Sequence, residues 1–154
     1  MIGQQFVDDF KGKGLGKAGG GRGVDSTDEV EAALDAARSL VETSGAVVAI
    51  SGPTDVVLSQ GRLTRVTGGD ALMPLVIGTG CALGAVTAAF IAAARTAGVS
   101  DHDGVVAAHA LFGAAGRAAG REASAPGSFR TAWIDALYSL TPSDVVELVE
   151  IEES

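Results

Sequence analysis

The chain has 154 residues, 47% of them hydrophobic and 19% charged, with a net charge of −8. That is enough apolar material for one domain with a core, and it excludes a disordered chain. The negative balance weighs against nonspecific binding to nucleic acid or an anionic membrane, although backbone N–H groups can still build a local phosphate site.

Residues 1–23 read as a Gly-rich, poorly ordered lead, residues 24–149 as the folded part, and residues 150–154 as a frayed acidic tail. The single cysteine excludes an internal disulfide and fits a reducing compartment. The first residues, MIGQQFVDDFKGK, lack the apolar core of a secretory signal, and the expected location is cytoplasmic. Gly14-Leu15-Gly16-Lys17-Ala18-Gly19 fits G-x-G-x-x-G, but no strand precedes it and the P-loop spacing fails, so it reads as loop.

Ser26 to Thr43 predicts a helix. Ser26 and Glu29 form a capping box, Val30, Leu34, Ala37 and Val41 form an apolar stripe, and Gly45 stops it. Ala46–Ile50 is a short continuous apolar run, which predicts a buried parallel strand. Val56–Leu58 and Leu63–Val66 flank Ser59-Gln60-Gly61-Arg62, the pattern of a hairpin. After the loop Gly68-Gly69-Asp70, Leu75-Val76-Ile77 predicts another short strand, then a turn at Gly78-Thr79-Gly80-Cys81 and a buried Ala-rich helix, Cys81–Ala97.

Residues 71–94 carry no charge and are long enough to span a bilayer. Pro74, Gly78, Gly80 and Gly84 interrupt the run, and a strand, a turn and a helix in a protein core are the expected reading. Asp101 is the expected cap of a second helix, Asp103–Ala119, with Val105, Ala108, Leu111, Phe112 and Ala115 inward. Gly127–Leu140 predicts a third, with Phe129, Trp133, Ala136, Leu137 and Leu140 inward, and Thr141-Pro142 opens a last helix to about Val149. The order of elements predicts an α/β layered fold, its mostly parallel sheet flanked by Ala-rich helices. Ser51-Gly52 and Gly78–Cys81 would then share the rim at the carboxyl ends of the strands.

The chemistry centres on Gly78–Cys81. A helix start offers free N–H groups and the positive end of a dipole, a ready site for phosphate. Cys81 lies in that first turn, where a thiol gains thiolate character. It can be a base beside an anion hole, as phosphoryl transfer to an alcohol requires, or a small packed side chain. His102 and His109 stand seven residues apart on one helix, about 10 Å along its axis, too far to share one metal ion. They read as a surface histidine near a cap and a partly buried one. Asp135 could bond a neighbouring loop or act in catalysis.

GTGCALGAVTAAFIA resembles the signature of the hydroxyethylthiazole kinases, a branch of the ribokinase-like superfamily in which Cys replaces the more usual Asp at the position of Cys81. Ala18–Ser26, Val47–Gly52, and Pro126–Arg130 followed by Asp135–Tyr138 resemble further segments of that family in the same order. The likeness covers about Ala18–Leu140 and only the C-terminal part of the family, so the ribokinase-like fold would be truncated.

The resemblance implies ATP-dependent phosphorylation of the hydroxyethyl group of a thiazole, a step in thiamine salvage. It implies Cys81 as base, Ser51, Thr79 and Gly80 at ATP, Gly78 at the thiazole, Mg²⁺ on the phosphates, and a homotrimer with the thiazole site between subunits. Gln4 stands where the family has an Arg that contacts ATP phosphates. Asp9 stands at a family Glu and could hold Mg²⁺ through water. The alternative expectation is a non-catalytic remnant that binds nucleotide or packs in an oligomer.

Overall fold

The computed structural model describes residues 27–154, and their side chains from residue 33 onward. The Gly-rich lead, the Ser26–Glu29 capping box, Val30, Gln4 and Asp9 lie outside the described residues.

Period-2 alternation organises the sheet. Helix α1 (Thr27–Ser44) leads into strand β1 (Val48–Ile50), followed by β2 (Thr54–Ser59) and β3 (Arg62–Thr67). On β2, Val56 and Leu58 face α1, where they pack with Ala37, Val41 and Leu63. Asp55, Val57 and Ser59 therefore face the other way, paired across the sheet with Val66, Thr64 and Arg62. That second face is covered by helix α3 (Asp101–Glu122), whose Ala110 and Ala114 pack with Val66, Leu148 and Val149.

All the pairings are antiparallel, in the order β1-β2-β3-β4, with β4 at Glu150–Glu153. The expected mostly parallel sheet is thus not what forms. A parallel pair needs a crossover of about a dozen residues or more, whereas only Ser51-Gly52-Pro53 separates β1 from β2, and only Gln60-Gly61 separates β2 from β3. β1 is a half-buried strand at the sheet's edge rather than a buried one. The hairpin stands where the sequence places it, with Gly61 supplying a φ of +72°.

Two further expectations change. Leu75-Val76-Ile77 is no strand: Pro74 fixes the start of a 3₁₀ turn, Met73–Leu75, and only Val76 is buried, with Leu75 and Ile77 exposed. The acidic end is not frayed: β4 pairs with β3, Ile151 opposite Val66, and Arg62 Nε donates to Glu153 Oε1 at 2.6 Å.

Beyond α3 lie helices α2 (Thr79–Ala97), α4 (Pro126–Ser139) and the short α5 (Pro142–Leu148). Val76, Phe112, Ala115, Ala119, Phe129, Trp133 and Ala136 form the core between them, with Phe112 and Trp133 edge to face, their centroids 4.9 Å apart. Ser100, not Asp101, caps α3: its hydroxyl accepts from Asp103 N–H at 3.1 Å. A Thr141–Asp144 capping box opens α5.

Gly113, Gly116 and Gly120 of α3 receive the loop Gly68-Gly69-Asp70. Gly69 N–H donates to Gly113 O at 2.8 Å, and a Cβ at Gly120 would collide with the Asp70 carboxylate. Helix α2 departs from its expected burial. One flank packs inward, with Ala82, Leu83 and Val86 against the Phe112–Trp133 cluster and Ala94 against Gly104, and most of its surface is exposed. By length and composition α2 could cross a membrane.

Candidate active site

The turn before α2 is built by a glycine that nothing else can replace without strain. Gly78 is the N-cap with φ +96°, in the left-handed region. An added Cβ there would meet nothing within 4 Å, so conformation rather than space demands glycine. Thr79 turns its hydroxyl back to the preceding 3₁₀ turn, donating to Val76 O at 3.2 Å and Met73 O at 3.4 Å. That bond stiffens the entry and leaves the main chain forward.

The first bond of the helix ladder is Ala82 N–H to Gly78 O, 2.9 Å. Thr79, Gly80 and Cys81 N–H precede it and have no hydrogen-bond partner among the described residues. Cys81 is a free, exposed thiol in the same turn, so here it does not pack as a small buried side chain. Donors and thiol thus share one helix start, an arrangement suited to holding an anion.

Ser51 lies at the end of β1, exposed, its hydroxyl without a hydrogen bond among the described residues. No hydrogen bond joins it to Gly78–Cys81, and the expected common rim of parallel strands is absent, because the sheet is antiparallel and no strand leads into Gly78. Both turns are instead tied separately to α3. Val76, two residues before Gly78, packs in the core with Phe112 and Ala115 of α3. The Ser51 turn is tied by polar groups: Gly52 N–H donates to Asp55 Oδ1 at 2.8 Å, and Asp55 Oδ2 lies 2.7 Å from His109 Nδ1.

The two histidines differ from expectation. His102 is buried rather than on the surface, its ring bridging Ser59 Oγ at Nδ1 and Thr64 Oγ1 at Nε2, both 2.8 Å away. Burial, followed by the nearby Arg62 charge, pushes its pKa below the usual histidine range. His109 is fully rather than partly buried. Arg62 donates to Asp103 as well as Glu153, and that bond holds the Asp103 carboxyl below its usual range.

Asp135 is exposed on α4 and lines a cleft of about 640 Å³ with Glu122, Ser128 and Ser139. No hydrogen bond ties it to a loop among the described residues. The Asp55–His109 pair is missing from the sequence reading. Its signal lies in two periodicities taken together: residues 55, 57 and 59 share a strand face, residues 102 and 109 share a helix face, and the two faces meet.

Residues 13–143 match the model of the hydroxyethylthiazole kinase family. A hydroxyethylthiazole kinase of Corynebacterium glutamicum is 52% identical over 139 residues, covering 90% of this chain and 52% of that protein. That of Corynebacterium efficiens is 49% identical over 138 residues, covering 90% and 51%. A solved structure of a hydroxyethylthiazole kinase protein from Pyrococcus horikoshii is similar with a TM-score of 0.73 at 28% identity, over 82% of this chain and 48% of that one. The chain spans about half the length of the relatives it matches.

Proposed function

Because this chain belongs to the hydroxyethylthiazole kinase family, we propose that it takes part in ATP-dependent phosphorylation of the hydroxyethyl group of a methylthiazole, the thiamine-salvage reaction. The observation that carries the reading is the Gly78–Cys81 turn, where three N–H groups without a partner among the described residues and an exposed thiol share one helix start inside the matched span.

In this reading Thr79, Gly80 and Cys81 N–H donate to the γ-phosphoryl oxygens and stabilise the charge they carry in transfer. Gly78 lets the thiazole approach the main chain, and Ser51 contacts ATP. The substrate hydroxyl oxygen forms the new bond to phosphorus, the bond from phosphorus to the bridging oxygen of ADP breaks, and the hydroxyl proton passes to Cys81 Sγ in its thiolate form, leaving a thiol. Mg²⁺ would neutralise phosphate charge, and Asp9, outside the described residues, is the proposed carboxylate that reaches it through water.

A homo-oligomer, a trimer by the family resemblance, would cover part of the exposed surface of α2. In the same reading α2 is a helix of a soluble cytoplasmic kinase and not a membrane span.

The test is phosphate transfer from labelled ATP to hydroxyethyl-methylthiazole. If Cys81 is the proton acceptor, Cys81→Ala loses about a hundredfold or more, the usual range for removal of a general base, and Cys81→Asp retains turnover. An active Cys81→Ala protein would end the catalytic assignment and leave Gly78–Gly80 as a phosphate cradle alone.

A further inference from the structure

The turn Ser51-Gly52-Pro53 is exposed, yet it is not left to water. One oxygen of the Asp55 carboxylate accepts from Gly52 N–H, and the other lies 2.7 Å from Nδ1 of His109, a ring only 3% exposed in the middle of α3. With the carboxylate accepting, Nδ1–H is the donor. A core helix therefore fixes a carboxylate, and that carboxylate fixes a surface turn.

Sheet formation does not need this arrangement. The register of β1 on β2 is already set by the ladder, Ile50 opposite Val56 and Ala49 opposite Val57. His102, two turns away on the same helix, shows what a structural staple looks like here, since it bonds the hydroxyls of Ser59 and Thr64, one on each of two paired strands. His109 leads instead through Asp55 to a loop. A buried polar pair is costly to desolvate, and an apolar pair would join helix and sheet at least as well.

The same helix also sets the other turn. Phe112, one turn beyond His109, belongs to the cluster that holds Val76 just before Gly78.

We propose that Asp55 and His109 are positioning residues for the nucleotide: they hold the Ser51–Gly52 turn at a fixed place on α3, and so at a fixed relation to the Gly78–Cys81 turn. The proposal rests on the reading of Ser51 as an ATP contact.

The test follows backbone amides of the whole chain by ¹⁵N–¹H NMR, with ATP as the probe, alongside unfolding midpoints. In the unmodified chain ATP shifts the Ser51 and Gly52 amides. His109→Phe moves the Gly52 amide in the free protein, speeds its exchange, and weakens ATP binding about tenfold, the order expected for loss of one charge-assisted hydrogen bond. His109→Asn, which keeps a donor near the position of Nδ1, restores both. Asp55→Asn, nearly the same shape, keeps the fold and weakens ATP binding in the same direction.

A lowered unfolding midpoint with the Gly52 amide and ATP affinity unchanged overturns the positioning role and leaves a structural pair. Absence of any ATP-induced shift at Ser51 and Gly52 also overturns it. Unchanged ATP affinity in Ser51→Ala, with the Gly52 amide still answering to His109, overturns the nucleotide reading of Ser51 while the link from helix to turn stands.

Discussion

Helices α2 and α3 are nearly matched in length, 19 and 22 residues, and both are rich in alanine, yet they live in opposite surroundings. Half of α3 is buried, because the sheet lies on one side of it and α2, α4 and the 68–70 loop on the other. In α2 only Ala94 is buried, and Cys81, Gly84, Ala85, Ala88, Ala89, Ala92 and Ala93 form an exposed stripe at helical spacing. Alanine explains how both are helical, since its helix propensity is the highest of the residues. It does not decide which is covered. Small apolar residues let a helix be approached closely, while burial depends on what the rest of the fold brings to it.

The comparison breaks most sharply under a charge. Ala115 of α3 is fully buried, and Ala115→Asp places a carboxylate in the Phe112–Trp133 core without a partner. We expect loss of the folded state, seen as collapse of the far-UV circular dichroism and of the cooperative unfolding transition. Ala89→Asp, on the exposed stripe of α2, should leave the unfolding free energy within about 0.5 kcal/mol and lower self-association in light scattering. A comparable loss of stability from both would show that α2 is buried in solution.

A single methyl should separate the helices by sign. At Gly84 an added Cβ meets nothing within 4 Å, so Gly84→Ala should stabilise the chain by about 0.5–1 kcal/mol through helix propensity. At Gly116 the same Cβ runs into Met73 Sδ and comes to 3.0 Å from Gly69 Cα. Met73 can swing away but the Gly69 backbone cannot, and Gly116→Ala should destabilise by about 1–3 kcal/mol. Denaturant titration of the two variants checks both; the same sign in each would defeat the contrast.

The smallest effect is a pH dependence on the α3 side. The folded state holds His102 neutral by burial, with Arg62 adding to the shift and Asp103 and Glu153 opposing it. Above the unfolded histidine pKa, about 6.5, both states are neutral and the contribution is fully present. As pH falls below it, the unfolded chain takes up a proton that the folded chain resists, and stability falls by at most about 1.4 kcal/mol per pH unit for that proton. The unfolding midpoint should be lower at pH 5.5 than at 7.5, and His102→Gln should flatten that part of the dependence. An unchanged slope in His102→Gln would assign the effect to another group.

What the sequence disclosed follows the range of the interactions concerned. The helices and the hairpin were legible because their signals are local: the stripe ending at Gly45, Gly61 at the turn, Thr141 before Pro142. Their ends moved by a residue or a few, as when Ser100 rather than Asp101 capped α3. Strand pairing was not legible, since the apolar run Ala46–Ile50 looks the same whether its neighbour is parallel or antiparallel. Glu150–Glu153 carried no strand pattern, because the partner that orders it, β3, lies far back in the chain. The Gly78–Cys81 turn was visible for the same local reason as the helices. Asp55 and His109 were not, because neither is unusual until a strand face and a helix face are laid together.

The pairing of β4 with β3 also has a bearing on how the chain is made. β3 leaves the ribosome with one edge bare, and the strand that closes it arrives only after the whole stretch from Gly68 to Val149 has been synthesised. During that interval the helices can form and begin to pack, but the sheet stands open to other chains. Closure then comes at once, as Glu152 meets Arg65 in the ladder and Glu153 reaches Arg62, whose guanidinium is shared with Asp103 at the head of α3. Glu150–Glu153 thus act as a latch on the sheet, and a nascent chain stalled before Glu150 would be the species most exposed to aggregation.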